Sequence, residues 1–295
     1  MSPPAVIGPV VVSTEWLAAH LGAPDLRVVD IRGKILPPGS SPRYLPKRAE
    51  YDAAHVPGAV FVDWTRDIVD PSDPVPVQIA GPDAFAARMG ELGIGDGTLV
   101  VAYDDYDHVL SGRIDWALRY YGHDAVRILD GGWSRWTAEG RPASSEVPAP
   151  APARFTARPR AALRRTADEV MRGLGSPDVL LLDARAPDQY SGAVSAAGRG
   201  GHIPGAHNVH YARMIDTETG RFLPAGELAR VFAEAGVDLN RLPSELVVYC
   251  NGGVSCTVPL AALRLLGRDD VAVYDGSWNE WGNDPQRPVR TGREP

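Results

Sequence analysis

The chain has 295 residues, of which 44% are hydrophobic and 23% charged, as in a globular protein long enough for about two domains. Its formal net charge of −7 argues against nucleic acid or an acidic membrane as the main partner. No apolar run reaches membrane-spanning length, no signal peptide is recognisable, and two cysteines make no disulfide framework, so we expect a cytoplasmic protein.

The first half of the sequence alternates short apolar runs with helical patterns. A loose tail is predicted up to about Pro9, and Ser13 is placed to cap the first helix. We predict strands at 26–32, 60–62, 99–104 and 125–129, helices at 13–21, 82–92 and 113–121, and loops at 37–46 and 71–76. Strands that alternate with helices indicate an α/β fold with a mostly parallel sheet.

A segment rich in Pro, Ala and Ser without hydrophobic periodicity separates the two halves and indicates a linker. We therefore divide the chain into an N-terminal domain at 10–141, a linker at 142–163 and a C-terminal domain at 164–290. The elements predicted in the second domain are a helix with a capping box at Thr166 and Glu169, strands at 179–185 and 246–249, and a helix at 257–266.

The two halves carry the same landmarks at nearly one spacing. His55 begins a His-Val-Pro-Gly-Ala turn, and His202 begins a His-Ile-Pro-Gly-Ala turn 147 positions later. An Asp-Gly-x-Trp-x-x-Trp motif recurs at an offset of 145, and Cys250 follows Asp104 by 146 (250 − 104). This regularity indicates a duplicated domain. Because the first copy has an aspartate where the second has this cysteine, only the C-terminal copy is predicted to be catalytic.

Cys250 stands between a buried strand and a helix and is followed by Gly252 and Gly253. Glycines let backbone N–H groups turn inward into an anion-binding nest, and a helix N-terminus adds partial positive charge. Both effects favour a thiolate, so we predict a lowered pKa and a nucleophilic sulfur. The alternative, a buried inert cysteine, does not explain the Gly-Gly turn.

Two chemistries use a cysteine in such a loop. A cysteine phosphatase needs an arginine six positions on to bind phosphate, but that position is Cys256. Sulfur transfer through a persulfide needs only hydrogen-bond donors for the sulfur anion, and no metal or organic cofactor. Cys256 itself is either a packed small residue or a thiol that resolves an oxidised or persulfidated Cys250.

The two His-Pro-Gly turns, the Trp motifs and the Tyr-Cys-x-Gly-Gly-Val-Ser loop together resemble two-domain rhodanese sulfurtransferases, over residues 13–285. The resemblance implies two tandem α/β domains, each a parallel five-stranded sheet flanked by helices, with the active site in the cleft between them. It implies a small anionic sulfur donor and a thiol, cyanide or protein as acceptor, with neither nucleic acid nor membrane as partner.

The resemblance also implies which residues bind the donor. Thiosulfate enzymes of this family carry Cys-Arg-Lys-Gly-Val-Thr, and 3-mercaptopyruvate enzymes carry Cys-Gly-Ser-Gly-Val-Thr. The loop here is uncharged and favours mercaptopyruvate, although Gly252 replaces the family's serine and Gln189 replaces one donor-binding arginine. The implied substrate-binding residues are Asn251, Gly252, Gly253, Val254, Ser255, Arg199 and Arg113. The alternative roles of Arg199 and Arg113 are a solvated loop cation and a helix-surface ion pair, respectively.

The remaining landmarks favour structural roles. His202 is expected to bond backbone groups in its turn, whereas the turn of His55 could also face the cleft. Ion pairs are expected between Asp30 and Arg32 and between Asp183 and Arg185. The tryptophans of the repeated motif are expected in the core or at an interface. A non-catalytic module that binds an anion or a partner remains the alternative function.

Overall fold

In the computed structural model, which describes residues 9–295, each half of the chain forms a parallel five-stranded sheet flanked by helices. Most of the predicted N-terminal tail lies outside these residues. The N-terminal domain contains β1 (Val11–Val12), α1 (Thr14–His20), β2 (Leu26–Asp30), β3 (Gly33–Ile35), β4 (Tyr44–Pro46), α2 (Arg48–Ala53), β5 (Val60–Phe61), α3 (Pro82–Glu91), β6 (Leu99–Tyr103), α4 (Val109–Tyr120), β7 (Val126–Leu129) and α5 (Gly132–Ala138).

The C-terminal domain begins with a 3₁₀ turn at Ala161–Leu163 and contains a second one at Tyr211–Met214. Its strands and helices are β8 (Arg164–Arg165), α6 (Ala167–Gly173), β9 (Val179–Asp183), α7 (Pro187–Ser191), β10 (Ala206–Asn208), α8 (Ala225–Glu234), β11 (Glu245–Tyr249), α9 (Thr257–Leu265), β12 (Val271–Tyr274) and α10 (Ser277–Trp281).

The two sheets have the same topology. Their strand orders are β1-β7-β6-β2-β5 and β8-β12-β11-β9-β10, and all neighbouring strands are parallel. The predicted α/β fold with tandem domains is therefore confirmed. Because β6 and β11 are central in their sheets, Asp104 and Cys250, which follow them, emerge at equivalent places on the carboxyl edges.

Local sequence explains three of the helix starts. The Ser13 hydroxyl accepts the N–H of Trp16 at 3.1 Å, and Thr166 and Glu169 form the predicted capping box. Helix α4, predicted from residue 113, begins four residues earlier, at Val109. The Asp104 carboxylate accepts the first-turn N–H groups of α4 and so extends the helix at its start.

The segment 37–46, predicted as a loop, partly forms a hairpin. Strands β3 and β4 pair antiparallel, with Ile35 opposite Tyr44, and the Pro-rich stretch between them is the turn. Trp64 supports the hairpin by donating its indole N–H to the Leu45 carbonyl at 3.1 Å. The turn composition dominated the sequence pattern and concealed two three-residue strands.

The domains meet through α4 and α9. A Cβ added at Gly112 of α4 would lie 2.7 Å from the Thr257 hydroxyl oxygen, so glycine permits the close approach. A buried ion pair joins Asp115 to Arg264 at 2.5 Å. Between Arg141 and Arg160 the described chain contains no helix or strand and runs along the N-terminal domain. The domain boundaries given above stay predictions. No helix within residues 9–295 combines the length and apolarity needed to cross a bilayer.

Candidate active site

Cys250 directly follows β11 and begins the Cys250 loop, residues 250–256, which leads into α9. The residue is only 2% exposed. Its carbonyl accepts the N–H of Trp278 at 3.0 Å, and its own N–H donates to the Ser277 hydroxyl at 3.1 Å. The backbone of Cys250 is therefore fixed by the start of α10.

The surroundings of the Cys250 sulfur lower its pKa. Burial alone would raise the pKa. Hydrogen bonds from the Cys256 thiol, the Ser255 hydroxyl and the N–H groups of Cys256 and Gly252 outweigh burial and bring the pKa to about 5. The sulfur is a thiolate at neutral pH. Burial and the neighbouring Cys250 raise the pKa of Cys256, which stays protonated and donates.

Ser277 fixes both ends of the turn. Its hydroxyl accepts the N–H groups of Cys250 and Gly253, at 3.1 and 3.0 Å, and donates to the Tyr274 carbonyl at 2.7 Å. Ser277 has a φ of 51°, a left-handed conformation that costs on the order of 1–3 kcal/mol. The three hydrogen bonds offset that cost, which accounts for a strained serine at this position.

Gly253 lies where no side chain fits. Its φ is 72°, and a Cβ there would lie 2.6 Å from a carboxylate oxygen of Asp275. Asp275 is itself held by the N-terminal domain, because it accepts from Arg113 at 2.7 Å and from the N–H of Ile79 at 3.1 Å. The Cys250 loop therefore packs against a carboxylate that both domains position.

A cavity of about 370 Å³ opens in front of Cys250 and is lined by both domains. The N-terminal lining includes Ile35, Pro38, Arg43, Tyr44, Val77 and Tyr106. The C-terminal lining includes Arg185, Asp188, Gln189, His210, Tyr211, Cys250, Asn251, Gly252, Val254 and Ser255. A volume of this size accommodates a small molecule, and the thiolate lies at its wall.

Comparison with known proteins identifies the fold family. The rhodanese-like domain model matches residues 13–139 and again 166–284. The chain belongs to the rhodanese family. The sulfur carrier protein TtuD of Thermus thermophilus is 34% identical over 97% of this chain and 98% of that protein. The thiosulfate sulfurtransferase of rat is 37% identical over 92% of this chain and 91% of that protein.

Among solved structures, SseA of Escherichia coli, described as a 3-mercaptopyruvate sulfotransferase, superposes with a TM-score of 0.81 at 29% identity. The match covers 92% of this chain and 99% of SseA. These relatives span nearly the whole chain and carry the same pair of domains. The present rhodanese is a sulfurtransferase.

Most loop residues predicted to bind substrate lie on the cavity. Asn251, Gly252, Val254 and Ser255 line it together with Cys250, whereas Gly253 does not. The Gly253 carbonyl instead accepts from Arg113 at 2.9 Å. At position 252 this chain has glycine where the family has serine. A Cβ at Gly252 would lie 2.9 Å from Val77 of the N-terminal domain, so a side chain there would be crowded.

The structure does not place the two predicted donor-binding arginines on the cavity. Arg113 is 1% exposed, and its guanidinium bonds Asp275 and the carbonyls of Gly253 and Val77. Arg199 donates to carbonyls of the segment 281–287, including that of Arg287 at 2.8 Å. Both guanidinium groups are occupied by protein acceptors, which makes them positioning residues in this geometry.

Sequence reasoning missed the cations that do line the cavity, Arg43 and Arg185. Arg185 makes the predicted ion pair with Asp183 at 2.5 Å, but its Nη1 is buried without a partner in the described residues. The Nε of Arg43 and the Oδ1 of Asn251 likewise lack partners within 9–295. A lone arginine within the Pro-rich turn was the available signal for Arg43.

Both repeated histidines are buried in their turns. The His202 ring nitrogens lie 2.9 and 3.1 Å from the carbonyls of Tyr190 and Glu294, which confirms its structural role. His55 makes the equivalent contacts with Tyr51 and Glu146, at 2.7 and 3.0 Å, and is fully buried. The open question for His55 is thereby resolved in favour of a structural role. His210, which sequence analysis did not single out, lines the cavity, and burial lowers its pKa.

Proposed function

We propose that this rhodanese transfers sulfane sulfur through a persulfide on Cys250, with 3-mercaptopyruvate as the preferred donor. The observation that carries the proposal is the position of Cys250 at the wall of a cavity, in a loop whose hydrogen bonds lower the pKa of its thiol to about 5. The thiolate attacks the donor sulfur, and the carbon–sulfur bond breaks with its electron pair on carbon. The resulting enolate of pyruvate takes up a proton, and the sulfur remains on Cys250.

The persulfide anion needs donors that are already in place. The hydroxyl of Ser255 and the N–H groups of Gly252 and Cys256 are directed at the sulfur of the resting enzyme. Such prepositioned donors stabilise an anion without reorganisation. The acceptor, which is a thiol, cyanide or a protein, then attacks the outer sulfur from the cavity, and the thiolate of Cys250 leaves.

One unpaired cation at the cavity wall favours a donor with one carboxylate. Of the two arginines that line the cavity, Arg185 is already paired with the carboxylate of Asp183 at 2.5 Å. The loop adds no cation, since Asn251 and Gly252 are uncharged. A carboxylate donor suits the guanidinium of Arg43, for which the described residues offer no ion-pair partner. Thiosulfate is the second candidate, favoured by the name of the rat relative.

The proposal places the enzyme in a reducing compartment such as the cytoplasm. Both cysteines are free thiols, and a reactive thiolate persists where disulfides are kept reduced.

Two measurements test the proposal. Intact mass after incubation with donor should increase by about 32 Da, the mass of one sulfur atom, and Cys250→Ser should abolish the increase. Side-by-side rates should give a higher kcat/KM for 3-mercaptopyruvate than for thiosulfate. Absence of an adduct with either donor would refute the persulfide mechanism. The alternative function, a non-catalytic module that binds an anion or a partner, would then be favoured. Turnover of p-nitrophenyl phosphate would instead indicate a hydrolase.

Arg43 provides the sharper test of donor binding. Arg43→Gln should raise KM for 3-mercaptopyruvate roughly tenfold or more, the equivalent of about 1.5 kcal/mol for a charge-assisted hydrogen bond. Arg48→Gln is the matched control, because the Arg48 side chain is 56% exposed and its one ion pair among residues 9–295 is with Asp52 on α2. Equal KM values for the two variants would show that the donor is held elsewhere.

A further inference from the structure

Cys256 is a buried thiol that the proposed transfer does not consume. We propose that Cys256 is a second reacting thiol, which displaces the outer sulfur of a Cys250 persulfide as sulfide and closes a disulfide with Cys250 when no acceptor is present. The inference rests on the proposed persulfide. It adds a sulfide-releasing activity and a self-inactivation that a dithiol reductant reverses.

The two thiols differ in their access to the cavity. Cys250 borders the cavity, whereas Cys256 is fully buried and does not line it. Both the thiol and the N–H of Cys256 donate to the Cys250 sulfur, so Cys256 contacts it from the protein interior. An attack by Cys256 on the inner sulfur of the persulfide leaves the outer sulfur free to depart into the cavity.

The surroundings of Cys256 act on its thiol in both directions. Burial and the neighbouring Cys250 raise the pKa of Cys256 in the resting enzyme. The partial positive charge at the start of the nine-residue helix α9, of which Cys256 is the N-cap residue, and the Arg113 guanidinium act in the opposite direction. In the non-catalytic domain the equivalent position, 146 residues earlier, is Leu110, which serves packing alone.

The step balances without an outside oxidant. The Cys256 sulfur forms a bond to the inner sulfur on Cys250, and the bond between inner and outer sulfur breaks. The electron pair of that bond leaves with the outer sulfur, which takes the proton given up by Cys256 and departs as HS⁻. The sulfane sulfur is reduced, and the two cysteines are oxidised to one disulfide. A small dithiol that enters by the cavity then attacks the Cys250 sulfur, becomes a disulfide itself and restores both thiols.

The experiment follows the full-length enzyme after one equivalent of 3-mercaptopyruvate, under anaerobic conditions and without acceptor. Wild type should gain about 32 Da and then fall to about 2 Da below the starting mass, which marks a disulfide. One equivalent of sulfide should appear at the same rate, and dithiothreitol should restore the starting mass. Cys256→Ser, which keeps a hydroxyl donor, should remain at the persulfide mass and release no sulfide.

Two outcomes would overturn the inference while leaving the proposed function intact. One is a wild-type persulfide that persists unchanged, and the other is sulfide release from Cys256→Ser as fast as from wild type. Cys256→Ala provides a second variant if the serine protein misfolds. If no enzyme gains a sulfur from 3-mercaptopyruvate or thiosulfate, and none forms thiocyanate from cyanide, the proposed function fails and the inference with it.

Discussion

The loops that follow the central strands β6 and β11 share one backbone plan but hold different anions. In the N-terminal domain the Asp104 carboxylate accepts the N–H groups of Tyr106 and His108 on one oxygen, at 2.9 and 3.1 Å. The other oxygen accepts those of Leu110 and Ser111, at 2.8 and 2.7 Å. This anion is the side chain of Asp104 itself, which is 1% exposed. The first loop therefore holds a permanent anion.

The C-terminal loop presents the same amides to a sulfur. Gly252 and Cys256, whose N–H groups stabilise the thiolate, lie 146 positions after Tyr106 and Leu110. One sulfur atom accepts from fewer backbone amides than the two oxygens of a carboxylate do. The Ser255 hydroxyl and the Cys256 thiol supply the remaining hydrogen bonds. This turn is therefore a general anion site, and the residue after the strand decides whether the bound anion is a fixed carboxylate or a thiolate.

A second exchange between the copies follows from the first. Ser277 and Gly132 lie 145 positions apart, and both have left-handed backbone, with φ of 51° and 54°. A Cβ at Gly132 would lie 2.3 Å from the Asp104 carbonyl, so the first copy excludes a side chain. The second copy uses the serine hydroxyl to accept the Cys250 and Gly253 amides. Only the copy with a reacting group carries this extra support.

The largest expected effect comes from giving the second loop the anion of the first. Cys250→Asp should lower activity with either donor by about 10⁴-fold or more, to background, since a carboxylate cannot accept sulfur. The protein should stay folded, because the new carboxylate can accept the N–H groups of its own loop that correspond to those bonded by Asp104. Rates and a thermal unfolding curve check both points.

The converse variant tests whether the shared backbone arrangement of the two loops is sufficient for a cysteine to accept sulfur. Asp104→Cys, made together with Cys250→Ser, should gain no sulfur by intact mass. The first loop has Val109 and Leu110 where the second has Ser255 and Cys256, so a sulfur there lacks side-chain donors. A sulfur adduct on this double variant would contradict the distinction drawn between the copies.

The next effect concerns the turn itself. Gly253→Val combines a left-handed φ with a contact 2.6 Å from Asp275, so it should displace the loop and lower activity roughly 10²- to 10³-fold. Gly205→Val is the control, since Gly205 has a φ of 83° with no neighbour within 4 Å of the added Cβ. Steady-state rates should separate the two variants. Similar losses in both would attribute the effect to backbone strain alone.

Patterns local in sequence predicted much of this molecule. The strands and helices of the two sheets and the caps at Ser13 and Thr166 depend on residues within a few positions of one another. The duplication was visible because each repeated landmark is itself a short motif. The lowered pKa of Cys250 was predictable for the same reason, because its donors lie in the next six residues. Hydrogen bonds between neighbouring residues and the spacing of hydrophobic residues can be predicted from the sequence alone.

Contacts between distant segments were not predictable in this way. Helical period places Arg113 on α4, but nothing local shows that it reaches Asp275, 162 positions away. Arg199 matches a family position, yet its loop directs it to carbonyls 82 to 88 positions later. Arg43 reaches the cavity only because the unpredicted hairpin of β3 and β4 places it there. Tertiary packing decides which acceptor a long cationic side chain meets.

A smaller effect is expected from pH. With a pKa of about 5, Cys250 is a thiolate above that pH and gains a proton below it. Alkylation by iodoacetamide should therefore be independent of pH above about 6 and fall tenfold per unit well below 5. Ser255→Ala removes one donor and should move the midpoint upward by less than about one unit. An ordinary thiol midpoint of about 8.5 in wild type would show that the amides do not hold the anion.

The smallest expected effect on activity comes from the first loop. Asp104→Ala leaves four buried N–H groups without their acceptor, and it should lower the free energy of unfolding by about 3 kcal/mol. Activity per folded molecule should change less than about threefold, since the donor reacts at Cys250. Asp104→Asn keeps one oxygen acceptor and should cost less stability. Urea unfolding and initial rates on the same samples measure the two effects. A loss of activity larger than the loss of folded protein would show that the first loop takes part in sulfur transfer.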